Sequence, residues 1–337
     1  MNFQYGWDNC LDKTYWTIAV KHGLATLCLA APHAAFAQDY PSKPVRILVE
    51  FAAGDGGDIQ VRAVARQLSV VMNQPVVVEN RVGGGGVVAA EATIRSAPDG
   101  YTILAGTPNG LVVRRFLAKQ QSFDVLKDLT PITAIARTTT FIVTTAGRFN
   151  SLGDLIGYAK ANPGKISYGT SGHGSAHHLS GEQIQMLTGS RMEHVPYKGG
   201  TLPMQEAAGG TIPLAIGIVS IVQPFVTAGK LRALGVVSEK RSPIMPDVPA
   251  VPEVVLGFEP PPSWTGLFGP ANLPPAILRR ANADAVKALN DPETRQRLAE
   301  LRFDPLPSSP EEFAAQIRRD IELVGRVVRA AKIQPTD

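Results

Sequence analysis

The chain has 337 residues, 44% of them hydrophobic and 18% charged, which excludes a disordered polymer and suggests about two domains. Its 33 lysines and arginines oppose 29 acids, and the resulting charge of +4 has no basic cluster behind it, so no nucleic-acid partner is expected. A chain this long buries enough core to need neither a disulfide nor a metal for stability.

In chain order, the first feature is the apolar run GLATLCLAA (23–31), with Lys13 and Lys21 before it and Ala35-Phe36-Ala37 after it. It is too short to span a bilayer, which takes about 20 residues. It fits a signal-peptide core with a small-x-small cleavage site, although Asp8 and Asp12 make the preceding region unusually acidic. Residues 1–37 are therefore expected to be a signal peptide cleaved near Ala37, with the mature chain in the periplasm from Gln38. Cys10 and Cys28 both fall in that segment, so thiol catalysis, disulfides and cysteine metal sites leave the mature chain together. Leu27 stands where a lipoprotein box needs a small residue, so no lipid anchor is expected.

Beyond residue 40, short apolar runs alternate with helical patterns, the signature of βαβ units and parallel sheets. The runs predict strands over 45–51, 75–80, 101–107, 165–170, 194–197, 212–218 and 231–238. Ser151 with Asp154 predicts a helix start, and Asn162-Pro163-Gly164 its end. Ser309, Pro310 and Glu312 cap a last helix whose Phe313, Ile317, Ile321, Val324 and Val328 share one face. Two segments resist this scheme: the long β-rich run 128–145 and the proline-dense stretch 242–275. Read as crossings between two domains, they predict one lobe from 38–138 plus 261–337, a second from 139–260, and a cleft between them.

The chemistry concentrates in two glycine-rich loops, each between a strand and a helix. The first, FAAGDGGD (51–58), leads into a helix N-terminus, whose unpaired amides and dipole can hold an anion without a cationic side chain. Asp58 there also reads as a simple N-cap. The second loop, within YGTSGHGSAHHLSGE (168–182), repeats the plan and adds Thr170, Ser171 and Ser175; Ser175 also reads as a cap. His173, His177, His178 and His194 invite a metal reading, but HEXXH is absent and no carboxylate has an evident place among them. Neither serine lies in G-x-S-x-G, and no acid is placed to orient a histidine, so no catalysis is expected. Gly84, Gly86 and Ala89 match G-x-G-x-x-A, yet the following strand does not end in the acid that would hold a ribose, and a tight turn is the expected reading.

Together these residues resemble the substrate-binding proteins of tripartite tricarboxylate transporters, the Bug receptors. The resemblance covers nearly all of 40–335 and rests on YPSKPVRILVEFAAGDGGD, VVVENRVGGGGVVAAE, APDGYTILAGT, YAKANPGKISYGTSGHGSAHHLSGE, HVPYKGG, LRALGVVSEKRSPIMPDVPAVPE and SWTGLFGPANLPP. It implies an α/β, two-lobed periplasmic binding protein of type II-like fold, with a hinge and an interlobe ligand cleft. It further implies no reaction and no cofactor, a small carboxylate as ligand, delivery to membrane permease subunits, and a monomer. Carried over by position, Phe51, Ala53, Gly54, Asp55, Gly56, Gly57 and Asp58 would face the distal end of the ligand. Thr107 and Asn109 would meet the cleft at the next strand end. Thr170, Ser171, Gly172, His173, Gly174 and Ser175 would form the loop that grips the carboxylate, flanked by His178, Tyr197 and Lys198. The rival readings are a sensory receptor of the same fold and a hydrolase using Ser175 or His177.

The chain departs from relatives at three positions. Glu50 replaces a usual proline, Asp55 a usual glycine, and Gly57 a common threonine. Two acids at an anion cradle would repel a second carboxylate, by roughly 4 kcal/mol at about 4 Å and an effective dielectric of about 20. A monocarboxylate, or a ligand with a polar or cationic far end, is therefore expected over a dicarboxylate.

Overall fold

The computed structural model describes Met1 and residues 40–119 and 122–335. The expected signal peptide, its cleavage site and both cysteines lie outside the described residues. No helix of the described residues is long and apolar enough to cross a membrane.

Eleven strands are found among the described residues: β1 (Val45–Val49), β2 (Val76–Asn80), β3 (Thr102–Gly106), β4 (Leu129–Thr138), β5 (Thr140–Thr145), β6 (Ser167–Thr170), β7 (Glu193–Pro196), β8 (Leu214–Ile218), β9 (Leu231–Val237), β10 (Trp264–Pro270) and β11 (Phe303–Pro305). They form a six-stranded sheet in the order β11-β4-β10-β3-β1-β2 and a five-stranded sheet in the order β7-β6-β8-β5-β9. The expectation of parallel sheets needs correction, because both sheets are mixed. β1 is parallel to β2 and β3, and β6 to β7 and β8. β10 runs antiparallel to β3 and β4, and β5 antiparallel to β8 and β9. Two of the reversed strands, β5 and β10, come from the two segments that do not fit the βαβ scheme, and the third is the short edge strand β11, antiparallel to β4. The run 128–145 is β4 and β5, which join different sheets across Thr139 alone, and 242–275 contains β10, which returns to the first sheet.

Each sheet is covered on both faces, which is why its central strands read as continuous apolar runs rather than alternating ones. Along β1, Val45, Ile47 and Val49 pack with Val61, Val64, Ala65 and Leu68 of the helix Gly56–Met72. Within β3, Ile103 and Ala105 join that core, while Leu104 points to the opposite one with Phe313, Ile317 and Val324 of the helix Pro310–Ala330. The second sheet is built alike: Ile142 and Ile216 face one core, Phe141 and Ala215 the other.

Local signals set the helix starts. Ser151 accepts the Asp154 amide, and Ser309 with Glu312 forms a reciprocal capping box. The turn expected at Gly84 and Gly86 is a single 3-10 turn, Gly84–Gly86, leading into the helix Val87–Ile94, whose Ala89 and Ala90 are fully buried. The carboxyl ends of β1, β3 and β6 open on one region, the place where open α/β sheets hold ligands.

Candidate functional site

A cavity of about 400 Å3 lies where the two sheets meet. The first sheet and its helices supply Phe51, Gly56, Gly57, Gln60, Thr107, Asn109, Val113, Trp264 and Phe303; the second supplies Thr140, Ser171, Ala176, His177 and Ile218. Thr138 and Pro262-Ser263, at the two crossings, close it. No lysine, arginine or carboxylate lines it. Any anion held here must be met by amides, hydroxyls and helix ends.

The first loop is shaped by its own acids. Asp55 occupies the N-cap position of the helix Gly56–Met72, not Asp58, and its carboxylate turns back to accept the Ala52 amide at 3.2 Å. Asp58 sits in the first helical turn and is only 2% exposed. It accepts from the Gly54 amide (2.9 Å), Arg62 Nε (2.9 Å) and Asn80 Nδ2 (2.8 Å). Burial works to raise its carboxyl, but the bonds from Arg62, Gly54 and Asn80 outweigh it and hold the group below the usual range. Asn80 also donates to the Phe51 carbonyl at 3.0 Å, pinning the loop to β2.

This folding-back leaves Gly56 and Gly57, whose first-turn amides have no acceptor within the helix, on the cavity. The Phe51 ring lies flat against Gly57, so that a Cβ there would stand 2.5 Å from it. The ring therefore occupies the space that a threonine side chain at this position would need. Ala53, Gly54 and Asp55 are exposed and do not line the cavity.

In the second loop, most polar groups are used internally. The Thr170 hydroxyl pairs with His194 Nε2 at 2.7 Å and receives the Gly172 amide at 3.2 Å; Thr170 is fully buried. Ser175 donates to the Gly172 carbonyl (2.7 Å) and caps the helix Ala176–Thr188 by accepting the His178 amide (3.2 Å). The Gly174 amide donates to His178 Nδ1 at 3.1 Å. Tyr197 pairs its amide with the Thr170 carbonyl, Lys198 is exposed, and neither lines the cavity. Ser171 does line it, with its Oγ 2.8 Å from His177 Nδ1. His173 faces a smaller adjoining pocket of about 110 Å3 with Gly85 and Asn109.

Behind the loop, His178 and His194 stack at 3.8 Å with an 11° interplanar angle, and the His173 ring lies 5.0 Å from that of His178. Burial, then the charges that neighbouring histidines would carry, pushes His178 down to about 3 and His194 to about 4. Burial alone pushes His177 to about 4. All three are neutral at pH 7. Ser171 and His177 thus form a hydrogen-bonded pair with a weak base and with no carboxylate on the imidazole among the described residues. No group of three or more potential ligands is arranged to hold a metal there either.

Sequence reasoning missed Gln60, Thr140, His177 as a cavity residue, Trp264 and Phe303. Gln60 is fully buried, accepts from the Thr265 hydroxyl at 3.0 Å, and its Nε2 has no acceptor among the described residues. Its place on the buried face of a helix reads as core, and only β10 brings Thr265 beside it.

This two-sheet architecture, with a ligand-sized cavity at the junction, defines a periplasmic binding protein fold. Residues 60–333 match the family described as the tripartite tricarboxylate transporter family receptor, and the chain belongs to that family. Protein BugT of Bordetella pertussis is 32% identical over 308 residues, covering 91% of this chain and 94% of BugT. The solved structure of R. palustris Rpa4515 with adipate is similar with a TM-score of 0.75 at 31% identity, over 88% of this chain and all of that one. The periplasmic binding protein BugD is similar with a TM-score of 0.72 at 28% identity, over 88% and 100% of the two chains. The protein is therefore a solute-binding receptor by family and fold.

Proposed function

We propose that this receptor works in the periplasm, closing its two lobes (38–138 with 261–337, and 139–260) over a small carboxylate. The loaded monomer then passes the ligand to the membrane subunits of a tripartite tricarboxylate-type transporter. The observation that carries this reading is the cavity itself: two helix N-termini from opposite sheets converge on about 400 Å3 of space that holds hydroxyls and amides but no fixed charge. One carboxylate sits at Ser171 and the amides of Ala176 and His177, and the far end of the ligand reaches Gly56, Gly57, Gln60 and Thr107. Phe51, Trp264 and Phe303 give the ligand an apolar body to rest on. The adipate in the R. palustris relative supports a carboxylate.

With Glu50 beside Thr107, the receptor prefers a monocarboxylate to a diacid at alkaline pH; Asp55, exposed and bonded to the Ala52 amide, stands outside the cavity. A thermal-shift and calorimetric panel of acetate, hexanoate, benzoate, adipate and malate tests the reading on residues 38–337, unfolded and refolded first to remove any carried ligand. Ligand at about a thousand times its dissociation constant stabilises by about 4 kcal/mol, a shift of several degrees. No shift with any of the five would overturn the carboxylate reading.

A further inference from the structure

Glu50 follows directly on β1, yet its carboxyl turns into the protein rather than to solvent. Oε1 accepts a short hydrogen bond from the Thr107 hydroxyl, and Oε2 is buried without a hydrogen-bond partner among the described residues. A Cβ on Gly86 would stand 2.1 Å from Oε2, and one on Gly110 3.3 Å from it. Room for this carboxyl thus depends on glycine at Gly86, which also holds a φ of 108°. Thr107, its single partner among the described residues, lines the cavity.

A threonine hydroxyl has one proton and two lone pairs. An ionised Glu50 can only accept, so Thr107 must give its proton inward and can show the cavity only a lone pair. A protonated Glu50 can donate to Thr107 Oγ1, which frees the threonine proton to point outward. It also leaves Oε2 an unpartnered neutral oxygen, less costly than an unpartnered charged one.

The elements enclosing Glu50 bring no counter-charge, since 84–86 and 107–113 contain no titratable side chain. On its own loop, Asp55 is exposed and folded onto the Ala52 amide, and Asp58 is held by Arg62 and Asn80. Beyond Gly85 and Asn109, Arg114 and His173 line the small adjoining pocket, with His173 lowered by burial. Burial, partly offset by Thr107, carries the Glu50 carboxyl up to about 7.

We propose that Glu50 and Thr107 form a proton-linked selectivity device: ionised, Glu50 repels a second carboxylate from the cavity, and protonated, it turns the Thr107 hydroxyl into a donor that admits one. The proposal rests on the carboxylate reading and makes the choice between monoacid and diacid a function of pH. Hexanoate and adipate, alike in chain length and different by one carboxylate, are the probes.

Between pH 7.5 and 8.5 the adipate dissociation constant should rise about tenfold, as linkage to one proton requires, while that of hexanoate stays within about twofold. Glu50→Gln should bind adipate with no such dependence. Independently of that variant, wild-type calorimetry in two buffers of different ionisation enthalpy should count close to one proton taken up per adipate at pH 8 and none per hexanoate. Adipate binding that ignores pH, or falls in parallel with that of hexanoate, would overturn the device and leave the receptor reading standing. Failure of both probes to bind at any pH would overturn the device, and failure of acetate, benzoate and malate as well would bring down the carboxylate reading with it.

Discussion

Asp58 has its charge fully engaged by the Gly54 amide, Arg62 and Asn80, so it shapes the anion loop without meeting an anion. Because its folded pKa is lowered, its stabilisation is present above the ordinary carboxylate range and is lost as pH falls through the lowered value. Asp58→Asn should cost about 2 kcal/mol in urea unfolding at pH 7, from weakened charge-assisted bonds, with the gap to wild type closing in acid. Ser171 differs in lining the cavity, with its hydroxyl paired to His177 Nδ1, which lines it too. Ser171→Ala should weaken hexanoate binding about tenfold by calorimetry with little loss of stability, the worth of about one hydrogen bond. Residue types and local spacing made the loops and their serines legible from sequence. They could not show which oxygens the loops consume themselves, because Asn80 and His194 arrive from other strands.

At the scale of elements, the helix Ala176–Thr188 stands on a polar underside. His178 on that helix stacks on His194 of β7, with Thr170 of β6 bonded to the latter. Glu182 receives the Tyr168 hydroxyl at 2.6 Å beside them. Histidines held below their ordinary value stabilise the fold above about pH 6.5 and lose that contribution as pH falls toward the folded value. For His178, pushed to about 3, the loss at pH 5 is about 2 kcal/mol. Urea unfolding of wild type and His178→Gln at pH 7 and pH 5 should show the wild type losing about that much more than the variant. A constant difference between them would mean that His178 is charged in the fold. The helix caps behind Ser151, Ser175 and Ser309 were readable because caps act over three residues of chain. The histidine stack was not, since the pairing register of β6 with β7 brings 178 and 194 together.

Across the whole molecule, the second loop touches the first half of the chain at one tight point. A Cβ on Gly174 would lie 2.4 Å from Leu117 Cδ1, and Gly174 holds a φ of 72°. Gly174→Ala should therefore weaken hexanoate binding by tenfold or more, through overpacking of about 1–3 kcal/mol and backbone strain. Adding Leu117→Ala should recover part of it, and a double-mutant cycle in calorimetry would show the coupling. Two additive losses would refute a contact that matters for ligand capture. The break of the chain into two sheets was legible where 128–145 and 242–275 failed to fit a strand–helix unit. Strand direction was not, because an apolar run reads the same parallel or antiparallel, and only packing assigns β4, β5 and β10.

Trp264 lines the cavity on one side, and its indole Nε1 donates to Asp320 of the last helix at 2.7 Å. The other two tryptophans of the chain, Trp7 and Trp16, precede the expected mature start at Gln38. A preparation of residues 38–337 thus carries a single indole, fixed in orientation at the wall of the ligand space. Its ultraviolet emission is a built-in optical reporter: each molecule that enters displaces water beside one known fluorophore, so occupancy can be followed in real time without attaching a dye.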